Sequence, residues 1–95
     1  MPYVYILRCS DGSLYTGIAK DLARRLAAHL AGRASRYTRA RLPVTLAWSR
    51  RVRSWRLALR EESRLKRLSR AAKLALVRSG SAGAPPAARR ARRGA

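Results

Sequence analysis

Apolar runs and polar breaks alternate along the chain, and the spacing within each run predicts its element. Residues 2–8 are rich in β-branched and aromatic side chains, and residues 13–19 form a second such run after Ser10-Asp11-Gly12. An Asp-Gly pair between two β-prone runs predicts a hairpin. The spacing then changes. In DLARRLAAHLAG the leucines Leu22, Leu26 and Leu30 recur every four residues, with Asp21 at the N-cap position and Gly32 closing the segment, which predicts a helix over 22–31. After a polar link containing Pro43, residues 44–52 read as a third strand, although the basic second half suits a strand less well. Ser54 caps a second long helix over 55–68, and Ser69 starts a shorter one ending near Ser79-Gly80. The order ββαβαα describes an α+β fold, a small three-stranded, mainly antiparallel sheet flanked by helices.

Composition narrows the picture. The 95 residues hold one small folded unit. Residues 79–95, SGSAGAPPAARRARRGA, lack Leu, Ile, Val and aromatics, so they read as a disordered tail behind a folded domain of residues 1–78. Lys and Arg total 23 against 4 Asp and Glu, a net charge of +19, of which the tail's Arg89, Arg90, Arg92 and Arg93 supply only a small part. Arg-for-Lys drift accounts for the type of cation and leaves the shortage of carboxylates unexplained. So basic a body expects a polyanion, nucleic acid first, with binding that weakens steeply as salt rises. One cysteine, Cys9, and one histidine, His29, exclude a disulfide scaffold and a four-ligand structural zinc. No segment reads as a membrane span, signal peptide or interfacial helix. A soluble protein of the cytoplasm, associated with the nucleoid, is the expectation.

Four carboxylates restrict any acid, base or magnesium ligand of that type to Asp11, Asp21, Glu61 and Glu62. Asp11 sits in a turn and Asp21 at a helix start, both ordinary structural positions. On the helix over 55–68, Trp55, Leu57, Ala58, Leu59, Leu65 and Leu68 mark a broad apolar stripe. Glu61 and Glu62 fall on its two flanks, while Arg56, Arg60, Arg64 and Arg67 gather opposite. Periodicity does not choose between the glutamates, and both admit a surface ion pair, Glu62 with Lys66 or Glu61 with Arg64. Arg25 and His29 lie one helical turn apart, and by spacing alone His29 reads as a partly buried polar residue. Tyr3 and Tyr5 share one strand face, which Tyr15 reaches across the hairpin, as in an ordinary aromatic cluster.

Taken in order, these residues resemble a known family. Tyr3-Val4-Tyr5, nine residues, Tyr15-Thr16-Gly17, then Asp21-Leu22, Arg25 and the later Glu62 are similar to the GIY-YIG nuclease domain, over essentially residues 2–78. The resemblance is nearest to the small stand-alone bacterial GIY-YIG proteins, particularly in ASRYTRARLP and ALREESRLKRLS, and more distant to the N-terminal nuclease domain of the excision-repair endonuclease. It implies Tyr5, Tyr15, Arg25, His29 and Glu62 as catalytic residues, Gly17 as a structural motif residue, and Glu62 as ligand of Mg²⁺ or Mn²⁺. Two positions depart harmlessly, Tyr3 for the first motif's glycine and Thr16 for the second motif's isoleucine. Ile18 stands where the repair enzymes carry a lysine, so one phosphate contact or pKa-lowering charge is either missing or supplied by a nearby arginine.

The function implied is a metal-dependent endonuclease that hydrolyses DNA phosphodiester bonds, structure-directed or nonspecific, in DNA repair or processing. Its partner would be DNA, branched or containing single strands, with no small-molecule cofactor and no membrane. Arg24, Arg36, Arg39, Arg60 and Arg64 are the expected backbone contacts, which position a protein without reading bases. A catalytically silent DNA- or RNA-binding module with the same fold is the alternative. A ribosome-associated basic protein fits the composition and leaves the ordered motif unexplained.

Overall fold

The computed structural model describes residues 1–79. The segment read as a tail lies, apart from Ser79, outside the described residues. The elements are β1 (Tyr3–Arg8), β2 (Leu14–Ala19), α1 (Leu22–Leu30), α2 (Arg36–Arg39), β3 (Thr45–Arg51), α3 (Trp55–Lys66) and α4 (Arg70–Arg78). The sheet is antiparallel throughout, in the order β2-β1-β3. This is the expected α+β fold, with one element added, the single turn α2 inside what reads as a polar link. Among the described residues no helix is long and apolar enough to cross a membrane.

Helices cover both faces of the sheet, and that explains the continuous apolar run of its central strand. Val4, Tyr5, Ile6 and Leu7 of β1 are all buried. Tyr5 and Leu7 face one cluster with Ala19, Leu22 and Val44, while Val4 and Ile6 face the other with Trp48, Ala58 and Leu65. Each fully buried aliphatic side chain contributes about 1.5–3 kcal/mol, so the four-residue run anchors both layers. β3 is an edge strand, which accommodates its basic half: Trp48 and Ser49 are buried, whereas Arg50 and Arg51 are exposed at the strand's end. Cations on an edge discourage pairing with a second sheet. A register shift between Ile6 and Leu7 leaves Ala47 as an extra residue opposite β1.

The caps follow the sequence. Asp21 accepts from the Arg24 amide, Ser54 from Leu57 and Ser69 from Ala72. Gly32, at φ 75°, ends α1: its amide bonds the His29 carbonyl, and the Arg33 amide bonds the Ala28 carbonyl. That pairing needs a left-handed residue, which only glycine supplies without strain.

Two apolar stripes are narrower than periodicity suggests. On α1, Leu22 is buried and Leu30 is 50% exposed, because eight residues of helix rotate it off the face. The i+7 position, His29, takes the inward place with only 1% exposure. On α3 the inward pair is Ala58 and Leu65, seven apart, while Trp55, Leu57 and Leu59 are exposed. Glu61 and Glu62, between that pair, are half-buried on its two sides.

A buried hydrogen-bonded chain ties β1 to α1 and α2. Thr38, fully buried, donates its hydroxyl to the Ser35 carbonyl at 3.3 Å. Its oxygen therefore accepts from His29 Nδ1 at 2.8 Å, which leaves His29 Nε2 to accept the Tyr5 phenol at 2.8 Å. One tautomer satisfies every member. Gly17 makes room for it. This glycine is the register partner of Tyr5, and a Cβ there would stand 2.5 Å from the tyrosine oxygen and 2.7 Å from its Cζ.

Two outcomes are expected. Gly17→Ala forces the Tyr5 ring off His29 and lowers stability by about 1–3 kcal/mol in urea denaturation. Tyr5→Phe does not rescue it, since the ring carbon at 2.7 Å remains. The second concerns pH. Burial, and then the neighbouring Arg25 charge, lower the pKa of His29 below its ordinary 6.5. The unfolded chain then binds the proton more readily than the folded one, so stability present above pH 6.5 is lost as pH falls below it. The lowered carboxylates, Asp11 held by Ser13 and Glu61 held by Arg64, act only as pH falls through their ordinary values of 3.8 and 4.5 and stay out of that window. His29 is the only histidine. Its NMR ring signals should titrate with a midpoint under 6.5, and the urea midpoint should fall between pH 6.5 and 5.

Candidate active site

Four elements bring their functional side chains to one region at the α1 side of the β1–β2 hairpin. Tyr5 comes from β1, Tyr15 and Gly17 from β2, Arg25 and His29 from α1, and α3 brings Glu62 within electrostatic reach of Tyr5. The three strand tyrosines do not simply stack on one another. His29 lies between two of them, edge-on to Tyr5 at 5.8 Å and to Tyr15 at 5.3 Å. The register explains the arrangement: Tyr15 opposes Leu7 and Tyr5 opposes Gly17, so the Tyr5 ring lies over the glycine and the imidazole meets both tyrosine rings from the α1 side.

The two tyrosines differ chemically. Tyr5 is buried, and its pKa is raised well above that of an ordinary phenol by burial and then by Tyr15 and Glu62, against the lowering effect of Arg25. Its proton stays on, held by His29. The Tyr15 hydroxyl has no hydrogen-bond partner among the described residues and its ring is only partly buried. Tyr15 is positioned through its ring, against His29 on one side and stacked on Tyr37 at 5.9 Å and 27°. The Arg41 guanidinium lies 3.8 Å over Tyr37 and also bonds the Tyr37 carbonyl and Asp11, each at 3.0 Å. Asp11 is thus a turn residue, accepting from Ser13, that also braces this stack.

The glutamates diverge. Glu61 is bound by Arg64 at 2.8 and 3.2 Å and reaches Arg50 of β3 at 3.4 Å, so it ties α3 to the far edge of the sheet. Glu62, on the other flank, pairs with exposed Lys66 at 3.4 Å, an i,i+4 contact worth only a few tenths of a kcal/mol. Both ion pairs that spacing allows are therefore present, and only Glu62 bears on Tyr5. Among the described residues no group of three or more His, Cys, Asp and Glu side chains gathers. A lone, half-buried carboxylate with a weakly held cation suits a magnesium ion that keeps most of its waters and completes its shell with phosphate oxygens.

Arg25 is exposed and faces solvent beside the cluster, with Arg24 next to it along a cavity at the start of α1. The other arginines lie elsewhere. Arg36 and Arg39 line a separate hollow with Arg33, Arg60 is on the outer side of α3, and Arg64 is committed to Glu61. Ile18 packs on the α3 side with Val4 and Trp48, on the opposite face of β2 from the Tyr5 pocket. Sequence reasoning missed Thr38, Tyr37 and Arg41. The capping serine Ser35 three residues before Thr38 was the available signal, because it starts the turn that buries Thr38 and sets exposed Tyr37 beside Tyr15.

Comparison with known proteins agrees with this fold. The family profile described as GIY-YIG catalytic domain matches residues 1–75. A UPF0213 protein of Halobacterium salinarum is 50% identical over 76 residues, 80% of this chain and 99% of that one. A UPF0213 protein of Streptococcus agalactiae is 47% identical over 76 residues, covering 80% and 86% respectively. The solution NMR structure of a UPF0213 protein from Bacillus halodurans aligns with a TM-score of 0.55 at 43% identity, over 90% of this chain and 89% of that one. The motif order, the three-stranded sheet and these relatives have one conclusion: the chain belongs to the GIY-YIG catalytic-domain family, a nuclease-type family, among its small UPF0213 members.

Proposed function

We propose that the protein is a metal-dependent endonuclease that hydrolyses DNA phosphodiester bonds, selected by the structure of the DNA or by none of its features. The observation that carries this reading is the convergence on buried His29 of a tyrosine hydrogen-bonded to it, a tyrosine whose hydroxyl no described group holds and the Arg25 cation, with the Glu62 carboxylate within electrostatic reach of Tyr5.

Each group has a distinct task. Arg25 offers its planar fork to the nonbridging oxygens of the phosphate, where charge builds as the water oxygen approaches phosphorus. Tyr15, whose hydroxyl no described group holds, takes the proton of that water as it passes its own to solvent. Tyr5 cannot do so, because its hydroxyl is buried and donates its proton to His29; it fixes the imidazole against which Tyr15 rests. His29 acts by position, keeping both rings in place as a neutral imidazole fixed through Thr38. Glu62 would hold Mg²⁺ or Mn²⁺, which when bound supplies charge neutralisation to the phosphate and to the departing oxygen. The net change is cleavage of one P–O ester bond, with hydroxide delivered to phosphorus and the proton to the leaving oxygen through Tyr15 and solvent.

The remaining arginines supply nonspecific attraction to the phosphate backbone, as Arg24, Arg36, Arg39 and Arg60 are exposed. The missing lysine at position 18 favours a second reading, a module that binds DNA without cutting it. Ile18, partly buried against the Val4 and Trp48 cluster, supplies no charge in its place.

Nicking of supercoiled and four-way DNA in Mg²⁺ or Mn²⁺ separates the two. Glu62→Gln, Tyr15→Phe and Arg25→Ala should each lower the rate by about 10²–10³-fold, the usual loss for a charge stabiliser or proton acceptor. Glu61→Gln should leave the rate within about threefold and cost stability instead, by releasing Arg50 and Arg64. Nicking that survives Glu62→Gln and Tyr15→Phe would overturn the assignment, and no metal-dependent nicking at all would leave the binding module.

A further inference from the structure

The cavity at the start of α1 has features that hydrolysis does not require. Its volume is about 450 Å³, within the range of sites that hold a small organic group, and its walls are Ala19, Lys20, Arg24, Arg25, Ala28 and Trp55. Asp21 also reaches it, but that carboxylate is engaged as the α1 cap at 3.1 Å. Trp55, the first residue of α3, is 39% exposed and belongs to neither core cluster, in contrast to Trp48 at 4%. Trp55 therefore leaves part of its ring face open to a ligand. Its companions are cations: Lys20 Nζ stands 5.5 Å from the ring centroid, and Arg24 and Arg25 line the same cavity. The two alanines keep the floor apolar and shallow.

An aromatic face, a small apolar floor and a rim of cations together match a nucleotide that has left its stack: the base lies on the ring and its phosphate meets the arginines. A paired base presents no free face, so duplex DNA gains nothing from the ring. Arg25 belongs both to this cavity and to the tyrosine–histidine cluster. A phosphate held by Arg25 therefore has its own nucleoside within reach of Trp55. We infer that the cavity between α1 and Trp55 seats one unpaired nucleotide of the DNA beside the phosphate to be cut, giving the protein a preference for bulged, flapped or frayed DNA. Lys20, exposed and on a flexible stem, leaves the ring as the base arrives and turns to phosphate.

This inference rests on the nuclease reading for its DNA partner, and its test is run as equilibrium binding so that the two can fail separately. The full chain carrying Glu62→Gln is titrated, without divalent metal, with a fully paired duplex and with the same duplex bearing one unpaired nucleotide, at fixed salt. The bulged DNA should quench tryptophan emission from exposed Trp55, and that quenching should vanish in Trp55→Ala. Trp55→Ala should weaken bulged DNA about tenfold, the loss expected for one stacked base, and change the duplex less than twofold. Trp55→Phe should restore most of the affinity, and a native circular dichroism spectrum for each variant separates the effect from misfolding. An equal loss on both DNAs, or no loss on either, overturns the inference while leaving the nicking assay untouched. Absence of binding to either DNA overturns both.

Discussion

Everything at the site depends on a single buried imidazole being neutral. His29 is almost entirely removed from solvent, and its two nitrogens are used in opposite senses, one donating to Thr38 and the other accepting from Tyr5. A proton on Nε2 would make the Tyr5 hydroxyl turn its own hydrogen away from the imidazole and give up that bond inside a buried site. Burial and Arg25 both oppose that proton. The neutral form in turn requires its partners: Thr38 must be oriented by the Ser35 carbonyl, and Tyr5 must lie flat over a residue without a side chain. Gly17, Ser35 and Thr38 are thus parts of one constraint, although they lie on β2, just before α2 and on α2 itself.

The same constraint divides labour between two chemically identical residues. Both Tyr5 and Tyr15 are phenols on adjacent strands. The difference lies in what surrounds each hydroxyl: one is enclosed and hydrogen-bonded, while the other is kept in place by its ring alone through Tyr37 and, behind it, Arg41 and Asp11. A ring gripped by its faces leaves its oxygen open, which is the arrangement a proton acceptor needs. A similar division separates the glutamates, where Glu61 is consumed by two arginines and Glu62 faces a weaker, exposed lysine.

Much of the fold was legible because its signals are local. The Asp-Gly turn, the serine and aspartate caps and Gly32 act within a few residues, and each appears where the spacing puts it. What escaped was of two kinds. A four-residue helix leaves no period to detect, so α2 read as a link even though Ser35 caps it. Broad apolar stripes were also misleading: Leu30, Trp55, Leu57 and Leu59 are apolar by type, yet their elements meet the sheet along narrow lines that pass through His29 and between the glutamates. Spacing showed Glu61 and Glu62 as equivalents. Their difference appears only when Arg50, distant in sequence, arrives on β3 and claims one of them.

The sheet order has an entropic side. β1 joins β2 through a short turn, but it joins β3 only after α1, α2 and their link have been spanned. Closing that longer loop costs more chain entropy than closing the hairpin turn, so the seam between β1 and β3 carries the larger closure cost. Tyr5, Tyr15, Arg25 and His29 all precede β3 in the chain, whereas Glu62 follows it. Four of the five proposed site residues thus lie before the costly seam, and the carboxylate joins them only across it.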